Sequence, residues 1–575
     1  MMVFYGRISE RMMAKTLWAL GTAVLLQLGN LAAQGTNAPL NEDYYHWLTR
    51  YEIKAGRLAP EWFTSVRPFK RNALVAFVDS LQTRDNVFTS RADQFNYDYL
   101  RNDSWEWSRA ETSTSKKPFR KLYQKKSDFA HVDQPDFDLH VSPVLYVGMA
   151  KDSRLDEMAT INTRGVEIRG MIDKKIGFYT FLTDNQMILP SWAQDQMTLY
   201  PVVPHEGFWK NFKNNGVDFF QARAHIDFNL TKHIYMQLGH DRTFIGNGYR
   251  SLIFSDYSPP NFFVRANAKV WKLNYLFQLN RLTGNDRGSA TGGSSGGKRY
   301  PEKYMAFHHA SVNIGKKFNL GFFESIVFSP SDSLSGGTFD VGYLNPVIFY
   351  RAIEQQFGSS DNALLGLDFK WNAVKGISLY GQFVLDEFVA REFLGKRGWW
   401  GNKYAWQLGA KWIDAAGISN FDLQLEANQV RPYTYSHETL SNYSNYSQSL
   451  AHPLGANFTE WVGIVRYQPV PKLNITAKAF YARIGRDSTN QNFGSDFLKN
   501  YRVRQADYGN YVGQGFNNTV LFADLTASYM LKHNLFIDLK YVVRNSKSDL
   551  AFYNNNTSFA SIALRWNIAQ RTYEY

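Results

Sequence analysis

Apolar and polar residues alternate along this chain with a period of two, over stretches about as long as a bilayer requires. In residues 220–230, Phe220, Ala222, Ala224, Ile226, Phe228 and Leu230 alternate with Gln221, Arg223, His225, Asp227 and Asn229. Successive side chains of a strand point to opposite faces, so this segment has one oily face and one wet face. A membrane-spanning strand needs about 9–11 residues, which this stretch supplies. A half-buried strand of a soluble sheet alternates in the same way, so the repetition of the pattern carries the argument.

The pattern recurs. In residues 269–279, Trp271, Leu273, Tyr275, Phe277 and Leu279 alternate with Lys272, Asn274 and Gln278. In 421–428, Phe421, Leu423, Leu425 and Ala427 alternate with Asp422, Gln424, Glu426 and Asn428. Leu535, Ile537, Leu539, Tyr541 and Val543 flank Asp538 and Lys540, and a last strand sets Ala560, Ile562, Leu564, Trp566 and Ile568 against Ser561, Arg565 and Asn567. Similar stretches lie near 165–172, 304–314, 364–371, 377–386, 404–412, 473–481 and 519–531. Short turns at 316–319 and 532–534 join some pairs, and long polar insertions separate others. Short turns on one rim and long loops on the other are the outer-membrane pattern. No run of 18 apolar residues occurs after the N-terminal segment, so no helical span is expected. A chain of this kind crosses a membrane only as a closed barrel. The fold predicted is all-β, a transmembrane antiparallel β-barrel of roughly sixteen to eighteen strands, an even number being expected. Tyr573 and Tyr575, at the end of the last stretch, resemble the terminal aromatic signal of such barrels.

Composition agrees. A closed barrel lets one domain of 575 residues grow around a lumen. Aromatic residues make up 16%, with 34 Tyr, 43 Phe and 15 Trp, enough for girdles at both membrane interfaces. The absence of cysteine excludes disulfides, zinc–thiolate sites, thiol nucleophiles and a lipidated cysteine. No metal site and no cofactor is expected. The net charge of +13 is scattered rather than gathered on a basic helix, which argues against nucleic acid. It suits acidic lipid head groups or an acidic polysaccharide.

Arg7, Arg11 and Lys15 precede an apolar run at 17–26, and Ala32 and Ala33 follow. That is the order of a secretory signal peptide, so residues 1–33 are expected to be removed. Residues 34–136 are expected to be a periplasmic helical and irregular segment, with Leu74, Phe77, Val78 and Leu81 at helical spacing. Residues 137–575 form the expected barrel.

Three long segments interrupt the alternation. The first, 239–252, contains Gly246, Asn247 and Gly248, which match no phosphate-loop fingerprint and read as a tight turn. His240, Asp241 and Ser251 have the atom types of a hydrolase triad without a nucleophile elbow. Asp386 and Glu387 are adjacent carboxylates that point to opposite faces of a strand and read as structural. No catalytic constellation emerges, and the protein is expected not to be an enzyme. The second segment offers Asn345 as N-cap, Pro346 at the first helical position and Gly358 as terminator. A helix over 346–357, carrying Arg351 and Glu354, is predicted to plug the lumen. The third places Arg431, Tyr433, Tyr435, His437 and His452 in one polar, ring-rich stretch, and Trp399 and Trp400 stand in another. Sugar binding needs flat rings beside polar tips, and so does a membrane girdle.

The segments 240–255, 345–366, 398–404 and 431–457 resemble those of the capsule assembly Wzi family of Bacteroidetes outer-membrane proteins, which includes RemB-like gliding-motility proteins. With the export segment, the N-terminal helical segment and the strands, the resemblance covers most of the chain. It implies an outer-membrane barrel of about eighteen strands, a plugged lumen and a role in holding surface polysaccharide. Two functions are compatible with the sequence. One is a non-catalytic barrel that binds or anchors surface polysaccharide. The other is a barrel subunit of a larger outer-membrane machine for secretion, gliding or protein assembly. The partners expected are outer-membrane lipid, an acidic surface polysaccharide and other envelope proteins.

Overall fold

The computed structural model describes residues 35–575, apart from 85–86, 117–118, 120, 214, 285–299, 331–338, 340, 348, 351–360 and 439. The expected export segment lies outside the described residues.

Eighteen long strands close into one antiparallel barrel. The first nine are β1 (Phe137–Asp152), β2 (Ala159–Ile172), β3 (Ile176–Ile188), β4 (Gly216–Asn229), β5 (Ile234–Asp241), β6 (Asn261–Val270), β7 (Leu273–Thr283), β8 (Glu302–Ile314) and β9 (Phe318–Phe328). The others are β10 (Asn362–Val374), β11 (Ile377–Leu385), β12 (Tyr404–Trp412), β13 (Phe421–Val430), β14 (Phe458–Val470), β15 (Leu473–Arg486), β16 (Phe516–Lys532), β17 (Leu535–Ser548) and β18 (Asn555–Trp566). Each pairs with its sequence neighbour, and β18 returns to β1 with Trp566 opposite Leu145. Closure leaves no unpaired edge and satisfies the backbone without water. Two short strands, Ala130–Asp133 and Lys210–Phe212, add to β1 and β4. Among the described residues no helix is long and apolar enough to cross a membrane.

The alternation sorts the wall as expected. On β4, Phe220 and Ile226 face outward and are exposed, whereas Gln221, His225 and Asp227 face the lumen and are buried. Leu425 on β13, Trp461 on β14, Leu525 on β16 and Ile562 on β18 repeat the outward apolar face. Short turns join the strands at one rim, near which Trp371, Trp412, Tyr529 and Trp566 form an aromatic girdle. The stretch 269–279, predicted as one strand, is instead broken at Trp271, which turns at φ 54° and joins β6 to β7. The two turn residues, Trp271 and Lys272, keep the apolar–polar order, so alternation passes through the turn unmarked.

The lumen is filled from both ends. Helix α1 (Glu42–Ala55) is capped by the Asn41 side chain, which accepts from the Asp43 and Tyr44 backbone N–H groups, and ends at Gly56 with φ 69°. It enters from the short-turn rim, N-terminus first. Glu42 meets Arg466 at 2.6 Å and Lys478 at 2.8 Å on the wall, while the Ile53 carbonyl accepts from Gly376 in the β10–β11 turn. Helix α2 (Arg71–Arg84) buries Leu74, Phe77, Val78 and Leu81 completely, and α3 (Arg91–Asp103) starts with a Ser90/Asp93 capping box. These helices share one apolar core with Met530 and Phe536 of the wall. Helical spacing does not mark α3, because its buried side includes Asn96, Asn102 and Asp103, which pair with the chain around them.

From the long-loop rim, residues 242–260 and 431–457 fold into the lumen and share a core with inward residues such as Met305, Phe307 and Val384. Gly246 has φ 135° there, and a Cβ on Gly248 would lie 2.6 Å from Gln407 Oε1 and Glu426 Oε2. The glycines thus allow close approach to the wall.

Two expectations are corrected. The helix predicted over 346–357 lies largely outside the described residues, including Arg351 and Glu354. Its described part does not enter the lumen. Tyr343 and Tyr350 pack with Ala306, Ile326, Phe328 and Ala363, whose side chains face outward from β8, β9 and β10. The Tyr350 N–H donates to Glu324 at 2.9 Å, and the Tyr275 hydroxyl donates to the Pro346 carbonyl. The Asn345 side chain accepts from the Val347 N–H at 3.1 Å in a local turn, and the helix it was predicted to cap lies largely outside the described residues. The apolar side of the segment therefore finds cover on the outer wall. The second correction concerns the C-terminal aromatics. β18 ends at Trp566, and 567–575 turns into the lumen, where Arg571 meets Glu206 at 2.8 Å and Glu574 meets Lys478 at 2.9 Å. Charged partners that lipid does not offer hold the tail there.

Candidate functional site

The long-loop rim carries a cavity of about 480 Å³. Four loop segments and the tail build it: α4 (Ser191–Leu199) with Tyr200, then 447–454, 487–499 and 550–555, with Tyr575 at its base. Trp192, Tyr200, Tyr257, Phe497, Tyr553 and Tyr575 supply rings. Tyr200 stacks on Phe497 with centroids 6.2 Å apart. The loop after β15 is shaped by Asp487, whose carboxylate accepts the backbone N–H groups of Phe493 at 2.6 Å and Asp496 at 2.9 Å. Asp496 caps Leu498 at 3.0 Å and accepts from the Tyr200 hydroxyl at 3.3 Å. Burial pushes its carboxyl above the usual range.

The acids are thus committed to the loops, and Asp195 is bound by Arg154 at 2.6 Å. The cations are less committed. Arg486 lies over Tyr553 at 4.4 Å and donates to Asn518 at 3.0 Å; Arg544 donates to the Tyr575 carbonyl at 3.0 Å and to Asn555 at 2.8 Å. Rings, hydroxyls and guanidiniums around a solvent-facing cavity fit a hydroxylated ligand with acidic groups.

None of the ligand-binding residues predicted from sequence lines this cavity. The polar interruption 487–515 is a local signal for it; the rings come from segments up to 383 positions apart, Trp192 to Tyr575. Of the residues predicted from sequence, several converge beside it. Trp399 and Trp400 are half-buried, with centroids 5.8 Å apart. Trp400 packs on Tyr433 at 6.3 Å and Tyr501 at 4.9 Å, under the Arg504 guanidinium at 4.2 Å. Lys403 lies over Tyr501 at 4.3 Å, and His437 meets the Tyr501 edge at 5.7 Å. Arg431 lies over Tyr404 at 5.4 Å and donates to the Asn510 carbonyl at 3.3 Å. The 487–515 loop links the two regions, one part lining the cavity and the other packing on Trp400.

The remaining predicted residues are placed differently. Tyr433 is buried and donates to the Asn492 carbonyl at 2.9 Å. Tyr435 is wholly buried, stacked on Tyr443, and donates to the Leu252 carbonyl at 2.7 Å. His452 is wholly buried and bound to Glu460 at 2.7 Å, which also holds Arg250 at 3.0 Å. These side chains hold the loops and lumen together and present no ring to solvent. His437 is also buried; burial, then Lys403, Arg502 and Lys303, lowers its imidazole to about 3. His240, Asp241 and Ser251 do not converge: His240 bonds the Ala222 carbonyl, Asp241 faces Arg223 and His225, and Ser251 donates to the Ile245 carbonyl. Asp386 accepts the Tyr435 N–H at 2.7 Å and Glu387 pairs with Lys403 at 3.1 Å, both as loop contacts. Among the described residues no cluster of His, Asp and Glu has metal-binding geometry.

No family model matches the chain, and no curated protein matches it. Solved structures do. Wzi of Escherichia coli, an outer membrane protein involved in group 1 capsule assembly and described as a carbohydrate-binding β-barrel, is 13% identical. The match covers 94% of this chain and 100% of that one, with a TM-score of 0.56. Pseudomonas aeruginosa OprD matches 74% of this chain and 94% of its own at 10% identity and TM-score 0.41. P. aeruginosa OpdL matches 75% and 99% at 9% identity and TM-score 0.41. With its closed wall, outward apolar face, short-turn rim and long-loop rim, the protein is an outer-membrane β-barrel whose fold is similar to that of Wzi.

Proposed function

We propose that this protein is a non-catalytic outer-membrane barrel that binds or anchors surface polysaccharide. The observation that carries the reading is the cavity of about 480 Å³ at the long-loop rim, lined by Tyr200, Phe497 and Tyr553 beside Arg486 and Arg544. Its size falls within the roughly 300–1,000 Å³ of small-ligand sites, and its cations favour an acidic glycan. The carbohydrate-binding description of the similar Wzi barrel supports the same reading.

The test is surface retention of polysaccharide in cells carrying Tyr200→Ala, Tyr553→Ala or Trp400→Ala. A lost ring–ligand contact is worth about 0.5–1.5 kcal/mol, so binding weakens by roughly 2- to 10-fold. Heat-modifiable gel mobility stays unchanged, because rim rings do not hold the hydrogen-bonded wall. Wild-type retention in all three variants would reject the glycan reading. A barrel subunit of a larger envelope machine would then be preferred. That second reading is favoured by one observation, the exposed Val347 and Phe349 on the outer wall. Its mark is co-purification with other envelope proteins in mild detergent.

A further inference from the structure

Behind the rim cavity lies a second one of about 250 Å³, inside the lumen, where α1, the 242–257 loop and the 568–574 tail meet the wall. A buried water needs about 10–15 Å³ of such space, so this chamber has room for a polyatomic ion together with waters. Pro204, Tyr257 and Pro453 line both cavities and form the partition between them.

The chamber's charge is uneven. Seven arginine and lysine side chains line it with five carboxylates, and from behind the lining Glu460 pairs with Arg250 and Asp241 with Arg223. Several carboxylates are shared: Glu206 takes Arg242 at 3.2 Å and Arg571 at 2.8 Å, and Glu42 takes Arg466 and Lys478. Arg67 rests over the rings of Tyr45 at 5.3 Å and Phe244 at 5.1 Å, and Lys411 donates only to the Asn247 carbonyl at 2.9 Å. Among the described residues neither has a carboxylate within ion-pair distance. Furthermore, the Nε groups of Arg67, Arg223, Arg242, Arg466 and Arg571 are buried without a hydrogen-bond partner among the described residues. All five arginines line this one chamber. Buried donors in native proteins are almost always satisfied, so the cluster calls for acceptors that the chain does not supply. Water alone satisfies donors but leaves Arg67 and Lys411 without a paired carboxylate.

We propose that this lumenal chamber is an anion-binding site for a small oxyanion of the phosphate or carboxylate type. The arginines come from different parts of the chain. Arg67 belongs to the N-terminal plug, Arg223 and Arg466 to the wall, Arg242 to the lumenal loop and Arg571 to the tail. One anion therefore ties plug, loop and tail to the barrel, and its occupancy stabilises the closed lumen.

The experiment is calorimetric titration of the full-length protein in detergent with inorganic phosphate and, separately, with glucuronate, at constant ionic strength. Saturable binding of phosphate, or of glucuronate that persists in Tyr200→Ala/Tyr553→Ala, supports the site; the one that binds more tightly there identifies the source of the oxyanion. Arg67→Gln and Arg223→Gln each weaken it about tenfold, the size of a lost charge-assisted hydrogen bond, while Arg67→Lys retains more affinity. Bound anion also raises the unfolding temperature of the wild type, and the same concentration of chloride does not. No saturable heat with either anion, or wild-type affinity in the double glutamine variant, overturns the proposal. If the variants do not fold, the wild-type titration and chloride control decide alone. The rim variants Tyr200→Ala and Tyr553→Ala leave phosphate binding intact, so failure of the glycan reading does not imitate failure of this one.

Discussion

Removing the Arg50 guanidinium should release the helical plug from the barrel. Arg50 lies on α1, is 2% exposed, and reaches four partners at once. It bonds Asp422 of the wall and Asp414 of the β12–β13 turn, Asn420 at 3.0 Å and Asp93 of α3 at 3.4 Å. Lys54 also serves Asp93 at 2.7 Å and Asp414 at 3.1 Å. Asp422 has no second cation in this group; it keeps His46 at 3.0 Å and the Asp414 N–H at 2.9 Å. Burial, then Arg466, lowers the His46 imidazole to about 4, so at neutral pH it is an uncharged partner. In Arg50→Met the Asp422 carboxylate is left buried and uncompensated. Breaking a buried pair from one side costs about 3–5 kcal/mol, which raises the undocked population by about two to four orders of magnitude. The assay is conductance of the reconstituted barrel, with proteolysis of α1–α3 as a second readout. Frequent long openings and faster cleavage are expected in Arg50→Met, with partial relief in Arg50→Met/Asp422→Asn. Wild-type conductance and cleavage in Arg50→Met would refute the claim that this ion cluster holds the plug.

The loops should be acid-sensitive. Burial is the largest effect holding His205 and His437 at about 3, against about 6.5 in an open chain. The open form therefore binds more protons between these values, so loop packing is fully stable above about pH 6.5 and weakens as pH falls toward 3. Limited proteolysis of 431–457 should be faster at pH 4.5 than at 7.5, and equal at 7.5 and 9. Deleting 345–358 should leave conductance unchanged, because Tyr343 and Tyr350 rest on the outer wall; increased conductance in a folded barrel would return this segment to the lumen.

The wall was legible because its cause is local. A strand between lipid and a polar lumen needs side chains that alternate, and residues 220–230, 421–428 and 535–543 record that need without reference to any other part of the chain. The same local character made the turn at Trp271 invisible and left open which side of the wall the segment after Asn345 covers. An apolar stripe specifies that it must be covered, not by which face. What faces what across the lumen was decided only by closure. Arg50 and Asp422 are 372 positions apart, and Tyr249 and Glu574 are 325 apart. No spacing rule connects such pairs, since their separation depends on how many strands lie between them around the barrel. Tyr435 and His452 looked like exposed loop chemistry for the same reason. Their burial follows from long loops folding into a lumen that exists only once all eighteen strands have met.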